Sequence, residues 1–255
     1  FGTIESPCPI DNLYRIIGVF GENYHGANGK QLVKLIKYDY ANSNLLGTDG
    51  DYANSKTPDA TYYKGSLSTI NTYYWNKTTR TNTWSTSLLN KTNLNTNFIN
   101  NIGTTWANKI ATVTWKVGGN TWANIGTKTS SVAYTNEITN PVTTNTTDNA
   151  TTYSAKIGLM YVSDYGFAAD SSGWTTKLSS YNSNTSKNWL YLGSDEWTIS
   201  RYSGTTFSAF YVSSTGGVDS DTVTLSCAVR PSFNLLSSVK YVSGSGSMSD
   251  PVRVN

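Results

Sequence analysis

The sequence predicts a single α+β domain, and three of its features carry that expectation. Two β-branched and aromatic runs, "LYRIIGVF" and "KQLVKLIKYDY", flank the Gly/Asn cluster "GENYHGANG", the pattern of an antiparallel hairpin. Leu88, Leu89, Leu94, Phe98 and Ile99 recur at helical spacing behind a Ser/Thr start, which predicts a helix over Thr86 to Asn100 despite the poor helix propensity of its Asn and Thr residues. A late series of short strand-like runs, "AFYV", "DTVTLSCAVRPSFNL" and "VKYVSG", closes the chain. Strands and helices arranged in this way make one α+β domain.

The remaining elements follow in order. From Ala41 to about Tyr73 the chain is Asn, Ser, Asp, Gly and Tyr with little periodicity, and a loop with short irregular pieces is expected. A short helix near Thr104 to Ile110 leads into a strand, "IATVTWKVGG". Residues 120–153 form a second polar Thr/Asn tract, expected as a surface loop or insertion. "SAKIGLMYVSDYGFAA" reads as a strand followed by a turn, and "NWLYLGSDEWTISR" as a further aromatic-rich strand. The pieces at 239–242 and 251–254 are expected to return beside the first hairpin, bringing the termini together.

Composition bounds the function. The 255 residues can bury a real core, 14% are charged and 13% aromatic, and so aromatic a chain is folded rather than disordered. The formal charge of +3 is spread over Lys and Arg residues that stand singly, which argues against nucleic acid as a partner. No apolar run reaches the eighteen or so residues that a spanning helix requires, so a soluble chain without a membrane-spanning segment is expected. "FGTIE" echoes the start of a mature type IV pilin, but "SPCPID" replaces the apolar helix that should follow.

The ordered set "LYRIIGVF … VKLIK … WSTSLLNKTNLNTNFI … IATVTWKVGG … KIGLMYVSDYGFA … NWLYL … EWTISR … VRPSFNLLSSVKYVSGSGSMSDP" resembles a domain of secreted and surface proteins of low-GC Gram-positive bacteria. That domain is in turn similar to the C-type lectin-like fold in the form shared by formylglycine-generating enzymes and the variable proteins of diversity-generating retroelements. The landmarks are "WTISR" (Trp197 to Arg201) and "VRP" (Val229 to Pro231). The resemblance covers nearly the whole chain. It implies one C-type lectin-like domain over residues 1–255, extracellular or at the cell surface, whose last third binds a ligand.

In the retroelement proteins, mutation at adenines of the binding codons never yields Lys, Gln, Glu or Met, and residues 202–227 contain none of these. Ordinary exposed strands are also Ser/Thr/Gly/Val-rich, so programmed variation and a fixed polar surface both fit. Within that stretch Tyr202, Thr205, Phe207, Phe210, Tyr211, Asp219 and Asp221 are the expected ligand-binding residues. Rigid rings among small polar neighbours give contact area at low entropic cost. Trp189, Trp197, Arg201 and Arg230 are expected to brace the body.

Catalytic readings find little support. Asp164, Asp170, Asp195, Glu196, Asp219 and Asp221 have no spacing that fixes an acid–base pair and are expected in turns, with "DSDT" a turn between strands. His25 is the only histidine and lies in the hairpin turn, so a triad or a His-based metal site is not expected. Neither the cysteine pair of the formylglycine-generating enzymes nor the calcium motifs of sugar-binding C-type lectins are present. A structural calcium at "SDYG" or "DSDT" stays open.

Cys8 and Cys227 offer no metal-ligand spacing. They read as a disulfide joining the ends of the chain, worth about 4–5 kcal/mol on a chain-entropy model, or as two buried thiols. The Asn-X-Ser/Thr triplets at Asn76, Asn90, Asn145, Asn149 and Asn184 are those expected by chance. The expected function is an extracellular binding or adhesion module without catalysis or cofactor, its partner a protein or glycan on another surface. The alternative is a self-assembling, pilin-like structural subunit of a surface filament.

Overall fold

A computed structural model describes residues 1–21, 24–27, 29–141 and 150–255, with Tyr24 described in its backbone. The first hairpin forms as its sequence demands. β1 (Tyr14–Phe20) pairs antiparallel with β2 (Leu32–Lys37), with a register shift between Ile16 and Gly18.

The segment expected as loop from Ala41 holds more structure. Helix α1 (Ser43–Leu46) starts at Asn42, whose side chain accepts the Leu45 N–H. β3 (Tyr52–Lys56) and β4 (Ile70–Tyr74) then pair antiparallel. "YANSK" has no apolar alternation because β3 is an edge strand, so only β4 had a buried face to encode.

The expected helix over Thr86 to Asn100 is present with a wider turn: a π-helix Leu89–Phe98 runs into α2 (Ile99–Asn101). Asn95 Nδ2 and Thr96 Oγ1 donate to the carbonyls five residues back, Asn90 and Lys91, which suits the wider turn. Asn93, Asn97 and Asn101 share one face and donate to the carbonyls of Leu46, Leu46 and Leu45 at 2.7, 2.9 and 3.0 Å. The residues that weaken this helix in isolation therefore satisfy the end of α1, and the buried Leu89, Leu94 and Phe98 hold it in the core.

α3 (Thr104–Ala107) leads to β5 (Val113–Lys116). The expected 120–153 loop contains α4 (Ser130–Tyr134), a π-turn Thr135–Thr139, and β6 (Thr152–Ala155), which pairs with β5. Residues 142–149 of that tract, with the Asn145 and Asn149 triplets, lie outside the described residues. After β7 (Ile157–Gly158), "VSDYGF" is not a turn but helix α5 (Val162–Phe167). Its β-prone residues are overridden by capping from Glu137, described below, and by burial of Val162 and Tyr165.

The last third supplies β8 (Glu196–Arg201), β9 (Ser208–Val212), β10 (Val218–Thr222), β11 (Ser226–Cys227), β12 (Ser232–Asn234), β13 (Tyr241–Ser243) and β14 (Arg253–Val254). Sheet orders are β1-β2-β12-β7, β10-β9-β8, β11-β4-β3, β13-β14 and β5-β6. Late β12 therefore sits beside early β2, and β11 beside β4, which knits both halves into one body. β13 and β14 pair with each other rather than with the first hairpin, but Arg253 Nη2 donates to the Glu5 carbonyl at 2.8 Å, so the two ends of the chain are adjacent.

The main core lies around Trp75, Trp115, Trp197, Phe98 and Phe233, and a second cluster around α5 joins Ile36, Tyr165, Tyr181, Leu190 and Phe210. No helix among the described residues is long and apolar enough to cross a membrane.

Candidate functional site

The expected binding residues lie on and around the β8–β9–β10 sheet, and the pleat divides them. Asp219 and Asp221 oppose Tyr211 and Ala209 in register, so Tyr211 and both aspartates share one face. Phe210 points to the other face, is fully buried, and stacks with Trp122 at 6.3 Å. Its assignment to a ligand surface is corrected: it is a core residue. Tyr202 is half-buried and meets Phe210 edge-on at 5.7 Å, so it belongs to that inner side. "DSDT" is not a turn but lies in β10, the edge strand of its sheet.

The loop from Tyr202 to Ser208 is held from beneath by Asn82. That buried side chain donates to the carbonyls of Tyr202, Thr205 and Ser208 at 2.7, 2.9 and 2.8 Å, and its backbone N–H donates to Thr206 O at 2.8 Å. Thr205 Oγ1 accepts the Phe207 N–H, and Val223 N–H bonds the Phe207 carbonyl, so the Phe207 backbone is fixed while its ring is 48% exposed. A large exposed ring on a fixed loop loses little entropy when covered.

Further along the β9–β10 pair stand the exposed Asp219 and Asp221 and the half-buried Tyr211, whose ring packs edge-on against Trp197 at 6.0 Å. Burial, with the charges of Asp219, Asp195 and Asp221, raises the Tyr211 hydroxyl's pKa well above its ordinary value, so it stays a neutral hydrogen-bonding group.

The landmark side chains lie inside. Trp197 is fully buried and donates Nε1–H to the Tyr73 carbonyl at 2.9 Å. Arg230 forms a two-point pair with Glu196 (Nε–Oε1 2.7 Å, Nη2–Oε2 2.8 Å) and also donates to the Leu190 carbonyl at 2.6 Å. Glu196, expected in a turn, is thus the buried counterion of Arg230. Arg201 is buried and donates to the Gly118 carbonyl; Gly119, at φ 78°, sits where a Cβ would press on the guanidinium. Trp189 is half-buried, and its carbonyl accepts from Arg15 Nη1 at 2.9 Å.

Both cysteines are free thiols, and the expected disulfide is corrected. Cys227 is fully buried in β11 opposite Tyr73, where burial raises its thiol pKa well above the ordinary value, whereas Cys8 is half-buried in the N-terminal segment. Among the described residues no group of three or more His, Cys, Asp or Glu side chains could hold a metal ion. Asn76, Asn90 and Asn184 are buried.

Two further features were not singled out in the sequence. A cleft of about 940 Å³ lies between the N-terminal segment, β1 and the closing β13–β14 hairpin, walled by Phe1, Tyr14, Trp106, Trp189 and Tyr241. The other is a buried polar cluster between β2 and α5. Lys34, fully buried, donates to Asp164 Oδ2 at 2.6 Å and lies 3.2 Å from His25 Nδ1. Glu137 caps α5 through the N–H groups of Val162 (3.1 Å) and Ser163 (2.8 Å) and accepts from the Ser200 hydroxyl.

Burial lowers the Lys34 pKa against the opposing pull of Asp164; burial and the Lys34 charge take His25 down to about 3; burial takes Glu137 up to about 7. One signal was legible. A lysine in the middle of "LVKLIK" needs a buried partner if the strand is central. His25 lies nine residues away in the turn of the same hairpin, whereas Asp164 is 130 residues away and only the fold supplies it.

No family model, curated protein or solved structure matches the chain.

Proposed function

We propose that the chain is an extracellular binding or adhesion module with a C-type lectin-like body, which engages a protein or glycan on another surface. The carrying observation is the Asn82-clamped loop, which fixes the exposed Phe207 at one end of the β9–β10 pair that carries Tyr211, Asp219 and Asp221. A ring for apolar contact, a neutral phenol and two carboxylates on a fixed support suit a polar ligand with an apolar face, a sugar ring or a peptide side chain. The mixed helices and antiparallel sheets are compatible with the C-type lectin-like body that the sequence resemblance implies. The narrow alphabet of residues 202–227 supports programmed variation only at its exposed positions, because Ala209, Phe210, Val212 and Cys227 serve the core.

The test is binding of the wild-type chain to glycan and matrix-protein arrays, repeated with a Phe207→Ala/Asp219→Ala/Asp221→Ala variant. Loss of the bound set at unchanged melting temperature supports the reading. Binding that survives the triple change places the ligand elsewhere.

A second reading, a self-assembling surface subunit, is favoured by one specific observation. β1 ends its sheet, and Ile16 and Val19 are 54% and 61% exposed on it. An apolar edge strand is a template for another chain. Sedimentation at increasing concentration separates the two readings: a monomer throughout counts against assembly.

A further inference from the structure

The Lys34 amine and the Asp164 carboxylate meet in conditions that favour more than an ion pair. Lys34 Nζ lies 2.6 Å from Asp164 Oδ2, and both side chains are almost wholly buried, at 0% and 2% exposure. Three rings surround the amine, Tyr161, Trp115 and Phe20, with centroids at 4.6, 5.4 and 5.9 Å.

The partners are held from both sides. Lys34 is on the central strand β2, and Asp164, in the first turn of α5, also accepts the Tyr161 N–H on Oδ2 at 2.8 Å. His25 completes the arrangement. Its ring stacks on Phe20 at 3.7 Å, with Nδ1 3.2 Å from Lys34 Nζ and 3.8 Å from Asp164 Oδ1. His25 holds a left-handed backbone (φ 48°), and a Cβ at the following Gly26 would collide with the Thr114 carbonyl, so the turn is built around this placement.

We propose that Lys34 and Asp164 condense to an intrachain amide, an isopeptide cross-link between β2 and α5, with His25 as the proton carrier. His25 Nδ1 takes a proton from the Lys34 ammonium and delivers it to Asp164 Oδ1. The freed amine attacks Asp164 Cγ, and the negative charge gathers on Oδ2, which the Tyr161 N–H stabilises. A second proton leaves nitrogen by the same route to Oδ1. The Cγ–Oδ1 bond breaks, Oδ1 departs as water, and Oδ2 becomes the amide carbonyl. The ammonium has lost two protons and Oδ1 has gained two, so no oxidant or co-reactant enters.

Two physical terms drive the step. In water the ionised acid and amine are stable apart. Here burial penalises the separated charges, which the neutral amide removes, and fixed contact gives an effective concentration on the order of 10⁵ M or more. Water is excluded from the product by the surrounding rings, which slows hydrolysis.

The test is the intact mass of the purified full chain under denaturing conditions, followed by peptide mapping. The expected result is a mass lower than the sequence mass by one water, and a branched peptide joining the segments around Lys34 and Asp164. Lys34→Ala and Asp164→Ala restore the full mass. His25→Gln keeps the fold's contacts at β2 and α5 and slows joining about a hundredfold, the usual scale of a lost proton carrier. A full sequence mass that persists on prolonged incubation of the folded wild-type chain, with Lys34 open to amine labelling after denaturation, overturns the proposal. That outcome needs no variant to fold.

Discussion

The side-chain amide of Asn82 donates to the Ser208 carbonyl at 2.8 Å across 126 residues, and it tethers the Tyr202 to Ser208 loop from inside the protein. Asn82→Ala leaves three carbonyls without that donor in a partly buried loop. A loss of about 2 kcal/mol of stability is expected, with faster amide exchange confined to residues 202–208. Exchange followed by mass spectrometry checks it, and a uniform change over the whole chain would contradict the local clamp.

Arg230 and Glu196 form a two-point pair with both side chains buried. Removing one partner leaves a buried charge. Arg230→Met should therefore cost about 3–5 kcal/mol, and the double change Arg230→Met/Glu196→Leu should cost less than Arg230→Met alone. Urea unfolding of the wild type, Arg230→Met, Glu196→Leu and the double variant reads the difference. A double variant as unstable as the sum of both single changes would refute the coupling.

The buried cluster predicts a pH profile with two opposed slopes. Glu137 titrates near 7 in the folded chain against 4.5 in its ordinary state, so its contribution is fully present below about pH 4.5 and is lost as pH rises through about 7. His25 runs the other way. Its folded value of about 3 against 6.5 makes its contribution present above 6.5 and lost as pH falls toward 3. Between about 4.5 and 6.5 these two contributions offset each other. Glu137→Gln removes the falling slope, and stability should then rise steadily from pH 3 to 6.5. Identical profiles for the two chains would contradict the assignment.

Cys227 is fully buried and Cys8 half-buried, both as free thiols. A thiol reagent should label one site on the native chain and two after unfolding, with Cys8 the fast site. Non-reducing mass analysis that finds Cys8 joined to Cys227 would contradict the structure.

The first hairpin was legible because "LYRIIGVF" and "VKLIK" carry both strand propensity and a turn cluster between them. The helix near Leu89 was legible from its leucines, but its Asn-rich face was not, because those side chains answer carbonyls of α1 more than forty residues earlier. β3 left no signal, since an edge strand with a mainly polar face has no pattern to show. Helix α5 was hidden by residues that prefer strands locally and were overruled by the Glu137 cap.

The candidate surface was partly legible. Composition singled out the stretch 202–227 but could not assign faces, so Phe210 is grouped with Phe207 although the pleat and the core take it inside. Lys34 within "LVKLIK" signalled a buried lysine, but its meeting with Asp164 was out of reach, because polar residues 130 positions apart come together only through the tertiary fold.

The most direct test of the account is array binding by the wild-type chain and the Phe207→Ala/Asp219→Ala/Asp221→Ala variant, both shown to melt at the same temperature. Binding through this face predicts a discrete set of bound glycans or proteins for the wild type and a loss of about tenfold or more for the variant, as removal of a hot-spot ring requires. Equal binding by both chains, or none by the wild type, would contradict it.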